Sequence, residues 1–97
     1  MAELTWTIEA ERWLSDIFEY IAADNPAAAL KTVQGIYDRA QVLREFPQIG
    51  QRYSPSARHV RVLIYGHYRI AYLVKEDGNV DVLGVFHGAL DLGKYQL

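Results

Sequence analysis

The chain has 97 residues, of which ten are basic, twelve are acidic and 51% are hydrophobic, and its formal net charge is −2. This length predicts one domain over residues 1–97 with a single hydrophobic core. The absence of cysteine excludes disulfides, thiolate metal sites and cysteine catalysis. No apolar run approaches the roughly 20 residues of a membrane span, and the N-terminus lacks a basic segment followed by an apolar one. We therefore expect a cytoplasmic protein that does not contact membranes.

The first half of the chain predicts a strand and two helices. The segment "LTWTI" over 4–8 alternates β-branched and aromatic residues, which is typical of a strand. Apolar residues recur with a helical period over 10–21 and again over 29–46, on either side of the segment "DNP". Pro26 suits the first position of the second helix because its missing N–H has no partner there, whereas Gly35 should weaken that helix by about 1 kcal/mol relative to alanine. The two helices form an αα-hairpin.

The second half predicts β structure. Apolar residues at alternate positions indicate strands over 59–65, 67–75 and 80–87. Gly66 separates the first two strands, and the dipeptide "DG", a strong hairpin signal, separates the last two. The expected fold is α+β: an N-terminal strand, an antiparallel αα-hairpin and a three-strand antiparallel meander, with the helices on one face of the sheet.

Basic residues concentrate in the meander. Residues 51–75 carry five basic side chains and no acidic one, a pattern that suits phosphate or an acidic protein partner. If the first turn is a three-residue loop centred on Gly66, strand alternation places Arg61 and Arg69 on the face that the helices leave uncovered, together with His67.

The face occupied by His87 depends on the second turn. A two-residue turn at "DG" pairs His87 with Tyr68 and places it on the core face, whereas a three-residue loop or a bulge at Gly84 places it with Arg69 and His67. Because an unpaired imidazole in a core is costly, we expect the bulged register and a shared outer patch.

This patch has three interpretations. It is a solvated sheet surface, a phosphate site in which arginines neutralise RNA phosphate and a histidine transfers protons, or a protein-docking patch. We expect no metal site, because no acid or cysteine joins the histidines at ligand spacing. We also expect no cofactor, since no glycine-rich phosphate loop is present.

Four segments carry a resemblance to a known family. In order along the chain they are "DNP", "FP" followed by glycine, "YRIAY" and "VFHGALD", within a stretch from about Trp6 to Leu92. This succession resembles toxins of the RelE/ParE superfamily from bacterial type II toxin–antitoxin modules. The resemblance implies a β-α-α-β-β-β fold, growth inhibition in the cytoplasm, and neutralisation by a cognate antitoxin within a hetero-oligomeric complex.

The superfamily implies two mechanisms. A ParE-like member interferes with DNA gyrase and cuts no bond, whereas a RelE-like member is an endoribonuclease that cleaves messenger RNA at the ribosome. For the first mechanism the target contacts are Arg61, His67, Arg69, His87, Asp91 and Tyr95; for the second the catalytic residues are Arg69, His87 and Arg61. The motif "VFHGALDL" favours the ParE-like branch. So does the isoelectric point of about 5.8, because phosphate contacts supply most of the affinity of a nuclease for RNA. Leu90 departs from the basic residue that often precedes the aspartate of this motif.

Phe18 and Leu30 lie off the helical core stripes, so we expect both to be exposed and to be covered by an amphipathic segment of the antitoxin. A non-toxic protein-interaction domain of the same fold is the second alternative to the gyrase-directed toxin.

Overall fold

The computed structural model describes residues 1–88, so the predicted contacts Asp91 and Tyr95 lie outside the described residues. Within residues 1–88 the chain forms two α-helices and five strands, which confirms the expected α+β fold. In order they are β1 (Leu4–Trp6), α1 (Ile8–Ala22), α2 (Pro26–Ala40), a 3₁₀ helix (Gln41–Arg44), β2 (Gln51–Arg52), β3 (Val60–Tyr65), β4 (Tyr68–Val74) and β5 (Val80–His87). The strand order is β1-β5-β4-β3-β2, with β1 parallel to β5 and the other pairs antiparallel. The predicted meander is thus extended by β1 at one edge and by the short β2 at the other.

Both helices begin at capping side chains. The Thr7 hydroxyl accepts a hydrogen bond from the Ala10 backbone N–H at 3.1 Å and donates one to the Val82 carbonyl at 2.8 Å. Asn25 caps α2 by accepting from the Ala28 N–H at 3.0 Å. Each cap stabilises its helix by about 1 kcal/mol. Because Thr7 serves as a cap, β1 ends at Trp6, earlier than the predicted strand.

Gly35 has a packing role that helix propensity does not reveal. A Cβ atom at this position would clash with the phenol of Tyr65 on β3. The glycine therefore lets α2 lie close against the sheet. The helix itself ends at Ala40, and the 3₁₀ helix continues the predicted helical segment toward Pro47.

The turn between β3 and β4 corrects one expectation. Tyr65 pairs with Tyr68, so the loop holds two residues, Gly66 and His67, and not three. Gly66 has φ +57°, as a two-residue hairpin loop with glycine first requires. Because the loop is one residue shorter than expected, the side chains of β3 lie on the opposite face, relative to those of β4, from the expected one.

Arg61 and Arg69 consequently lie on opposite faces of the sheet, and the predicted shared patch does not form. Arg61 pairs with Tyr72, on the face that packs against the helices. Arg69 pairs with Ile64, on the other face.

The register of β5 places His87 opposite Tyr68. The β4–β5 loop is one residue longer than a "DG" turn, because Lys75 N–H donates to the Asn79 carbonyl at 2.9 Å. The predicted bulge is present as well, between the pairs Tyr72–Val82 and Ala71–Gly84. The two one-residue changes cancel. His87 therefore shares the helix-side face with Tyr68, and its expected placement beside Arg69 is wrong.

The main core lies between the helices and the sheet. Its buried members are Ala10, Ile36, Leu43, Leu63, Ile70, Tyr72, Val80, Val82 and Val85. A smaller cluster on the other face joins Ala71 and Phe86 to Trp13, Tyr53 and Val62. Trp13 contacts both clusters, and its ring centroid lies 4.7 Å from that of Phe86. The second face is therefore partly covered.

No helix in residues 1–88 is long and apolar enough to cross a membrane.

Candidate functional site

The candidate site lies where the β3–β4 turn and the last residue of β5 meet; we call His67, Tyr68 and His87 the histidine end. The ring centroids of the two histidines are 6.1 Å apart, and the Tyr68 ring meets that of His87 edge-on at 5.3 Å. Both histidines are exposed, and Tyr68 is half-buried. The register that moved His87 away from Arg69 brings these three rings together.

The side chains of the histidine end can form hydrogen bonds. Burial raises the pKa of the Tyr68 phenol above its ordinary value of 10.0, so this group stays neutral and able to donate at physiological pH. Each imidazole can donate or accept a hydrogen bond. Among residues 1–88, no group of three or more histidine, cysteine, aspartate or glutamate side chains is placed to hold a metal ion. The three rings thus present hydrogen-bond donors and acceptors at one end of the sheet.

Arg69 lies apart from the histidine end. It pairs with Ile64 on one side and with Phe86 on the other, and its Nη1 lies 3.4 Å from the Tyr68 carbonyl oxygen, to which it donates. Since Phe86 and His87 are consecutive strand residues, their side chains leave opposite faces of the sheet. Arg69 and His87 therefore do not converge on one phosphate.

Arg61 belongs to a different part of the molecule, which we call the anchored end: Arg61, Tyr72 and the loop over 47–50. The Nη1 of Arg61 donates to the Gly50 carbonyl at 2.7 Å and to the Gln48 carbonyl at 3.2 Å. The Tyr72 hydroxyl donates to the Pro47 carbonyl at 2.7 Å and accepts from the Gly50 N–H at 2.9 Å. The two side chains hold the loop against the sheet.

Sequence reasoning missed the partnership of Gly50 and Tyr72. The side chain of Tyr72 is fully buried, and burial raises its pKa while the Gly50 hydrogen bond and the Arg61 charge oppose that rise. A Cβ atom on Gly50 would lie 2.5 Å from the Tyr72 hydroxyl and 2.9 Å from the Val62 carbonyl oxygen. The glycine after "FP" was the available signal, since a glycine can mark a close approach of backbone to another group.

The helical hairpin carries the predicted apolar surface. Phe18 is 37% exposed and Leu30 is 62% exposed, so the expected exposure of both residues is confirmed. A groove of about 260 Å³ lies between α1 and α2 and is lined by Leu14, Ser15, Phe18, Glu19 and Val33. Phe18 therefore borders a concave apolar site, whereas Leu30 lies on the exposed surface of α2.

The chain is similar to known toxins over most of its length. A family model described as "ParE toxin of type II toxin-antitoxin system, parDE" matches residues 4–92. A relative from Sinorhizobium fredii, named "Putative toxin Y4kP", is 33% identical over 84 residues, which make up 87% of this chain and 85% of the relative.

Two solved structures share the fold. A chain of the "Chromosomal ParDE TA system from P. aeruginosa" superposes with a TM-score of 0.77 at 25% identity, covering 92% of this chain and 98% of that one. A chain of the toxin–antitoxin complex RelBE2 from Mycobacterium tuberculosis gives a TM-score of 0.58 at 22% identity, over 89% of this chain and 96% of the other. The second match is a likeness of fold alone.

Proposed function

Because this chain belongs to the ParE toxin family of type II toxin–antitoxin systems, we propose that it inhibits bacterial growth by interfering with DNA gyrase and that a cognate antitoxin neutralises it in the cytoplasm. The observation that carries this proposal is the match to the ParE family model over residues 4–92. The histidine end and the tail residues Asp91 and Tyr95 then serve as contacts with the target.

The separation of Arg69 from His87 supports a mechanism without bond cleavage. A nuclease needs a cation beside the charge that develops on phosphate and a proton-transfer group within hydrogen-bond reach of the same centre. In this chain the two side chains leave opposite faces of the sheet. Arg61, the third member of the nuclease set, is committed to the carbonyls of the 47–50 loop.

The two mechanisms damage different nucleic acids in the cell: messenger RNA in one case and DNA in the other. We would express the wild type, His87→Ala and a chain that stops before Asp91, and map messenger cleavage and gyrase-dependent DNA breaks in each strain. We expect DNA breaks with the wild type, partial toxicity in His87→Ala and none in the truncated chain. Loss of a positioned proton-transfer group lowers a rate by about 10²–10⁴. Ribosome-dependent cleavage that disappears in His87→Ala, without DNA breaks, would therefore establish the nuclease instead.

The antitoxin surface is proposed on the helical hairpin. The groove beside Phe18 and the exposed Leu30 offer anchors for one apolar stripe of an amphipathic segment. The two solved structures compared above come from toxin–antitoxin systems. The acidic side chain of Glu19 lines the groove, and Glu11, seven residues before Phe18, lies on the same side of α1, so basic residues beside the apolar stripe would complement the surface.

A pair of substitutions on one helix tests this surface. Phe18→Asp should weaken binding of the antitoxin, sought in the adjacent open reading frame, by about 2 kcal/mol, or roughly 30-fold in Kd. Tyr20→Asp is the matched control, because Tyr20 is 84% exposed and its side chain leaves α1 about 200° away from Phe18. Equal affinities for the wild type and a folded Phe18→Asp chain would place the antitoxin elsewhere.

A further inference from the structure

A cavity lies at the end of the sheet opposite the histidine end, and the proposed function does not use it. Its volume is about 230 Å³. The residues that line it are Gln48, Arg52, His59, Val60, Arg61, Val74, Lys75 and Glu76. We call it the basic cavity, because three of these side chains are permanent cations and one, Glu76, is an acid.

The strand register concentrates charge at this cavity. Arg52 and Arg61 are directly opposite each other on β2 and β3, so their side chains leave the same face. Like charges in such a cross-strand pair destabilise a sheet. The charge of Lys75 is partly compensated by Asp81, whose carboxylate oxygen lies 3.3 Å from its Nζ. Among residues 1–88, Glu76 is the one acid that lines the cavity with the arginine pair. An anion would relieve the repulsion between the two arginines.

Arg61 is held in place before any ligand arrives. Its Nη1 is bound to the Gly50 and Gln48 carbonyls, and a guanidinium carries five N–H donors in a rigid fork. The donors on Nε and Nη2 therefore remain for an acceptor in the cavity, at no further cost in side-chain entropy. Fixed donors of this kind suit the oxygens of phosphate.

We propose that the basic cavity binds a phosphate group through Arg52 and Arg61. Among residues 1–88 no Phe, Tyr or Trp side chain lines the cavity, and its one ring is the imidazole of His59, so it offers no large apolar platform on which a base can stack. The ligand is therefore recognised by its phosphate alone, as in a sequence-independent contact with a nucleic-acid backbone. Free pyrophosphate presents the same chemistry. The proposal holds whether the toxin acts on gyrase or on the ribosome.

The test uses the full chain and two probes at low salt: a fluorescein-labelled DNA duplex followed by anisotropy, and pyrophosphate followed by calorimetry. Arg52→Gln should weaken binding about fivefold, since an exposed ion pair contributes up to about 1 kcal/mol. It should also lower the slope of log K against log salt for the duplex by about 0.9. Glu76→Gln should strengthen binding about twofold, because it removes the acid beside the arginine pair.

The matched control is Arg12→Gln, which removes the same charge from the exposed surface of α1 and should leave both affinities unchanged. Arg52 is exposed, so its variant should keep the wild-type circular dichroism spectrum and melting temperature. Duplex binding that is weakened by Arg52→Gln identifies a nucleic-acid backbone as the ligand, and an effect confined to pyrophosphate identifies a free phosphate. A wild type that binds neither probe, or Arg52→Gln and Arg12→Gln chains with equal affinities, would overturn the proposal.

Discussion

At the anchored end of the β3–β4 hairpin, Arg61 and Tyr72 are bound to the loop over 47–50, whereas at the histidine end His67 and His87 are exposed. Both ends carry polar side chains on otherwise apolar strands. Their roles differ because a backbone loop folds over one end and supplies carbonyl partners. Whether a polar residue on a strand is structural or available for binding thus depends on the element that packs over it and not on its residue type. The comparison predicts large stability effects at the anchored end and small ones at the histidine end.

Gly50→Ala should have the largest effect. The added Cβ would meet the Tyr72 hydroxyl and the Val62 carbonyl oxygen, and the loop would have to leave its hydrogen bonds. We expect the free energy of unfolding to fall by about 3 kcal/mol. Urea denaturation followed by circular dichroism measures this change. In a Tyr72→Phe background the same substitution should cost less, because the nearest clashing atom, the hydroxyl oxygen, is gone while the ring carbon Cε1 and the Val62 carbonyl oxygen remain. An equal cost in both backgrounds would contradict this account.

Tyr72→Phe should have the next largest effect. It removes two hydrogen bonds and leaves the N–H of Gly50, a buried residue, without its acceptor. We expect a loss of about 2 kcal/mol in the free energy of unfolding, because an unsatisfied buried donor costs its desolvation. Tyr20→Phe, at an exposed position on α1, is the control and should change stability by less than about 0.5 kcal/mol.

The difference in stability between the wild type and Tyr72→Phe should depend on pH. Burial raises the pKa of Tyr72 above 10.0, the ordinary value for the unfolded chain. The folded chain therefore holds this proton more tightly, and its contribution to stability is complete below the unfolded pKa and is lost as pH rises toward the folded one. The difference in unfolding free energy between the wild type and Tyr72→Phe should be constant up to about pH 9 and shrink above about pH 10. If this difference in unfolding free energy increased with pH, the pKa of Tyr72 would be lowered in the folded chain and the account would be wrong.

Gly35→Ala tests the packing of α2 near the histidine end. Helix propensity alone predicts a gain of about 1 kcal/mol for alanine. The clash with Tyr65 should cost more than this gain and leave a net loss of about 1 kcal/mol in the free energy of unfolding. In a Tyr65→Ala background the sign should reverse. Stabilisation by Gly35→Ala in the wild-type background would show that α2 does not need the close approach.

Substitution of the exposed histidines should have the smallest effect on stability. His67→Ala and His87→Ala are each expected to change the free energy of unfolding by less than about 0.5 kcal/mol, because neither side chain is buried. Thermal melting of the two variants beside the wild type measures this. A loss comparable to that of Tyr72→Phe would show that the histidine end is structural and would remove the contrast between the two ends.

Most elements of the fold were predictable because each of these has a local signal. Helical periodicity, the capping segment "DNP" and the alternation of β3 to β5 predict the order of β1, the two helices and β3 to β5, and the family resemblance agrees with it, whereas the two-residue β2 has no such signal. Registers were less predictable, since a change of one residue in a loop reverses a face. The β4–β5 loop and the bulge illustrate this: both one-residue changes occur, and only their sum decides where His87 lies.

Contacts between residues far apart in the sequence could not be predicted, because local patterns do not encode them. The contact of Gly35 with Tyr65 and that of Gly50 with Tyr72 join residues far apart in sequence. Helix propensity describes Gly35 as a weakness, and only the packed structure shows why no side chain fits there. The exposure of Phe18 and Leu30 was predictable because it follows from helical periodicity alone.

The central claim, that this ParE-family toxin acts on gyrase and cuts no RNA, is tested most directly with purified components. The wild-type chain is added to purified gyrase with plasmid DNA and, in parallel, to translating ribosomes with messenger RNA. We predict that gyrase supercoiling is inhibited, that the cognate antitoxin restores it, and that the messenger stays intact. Cleavage of the messenger on the ribosome with unimpaired supercoiling would contradict the account.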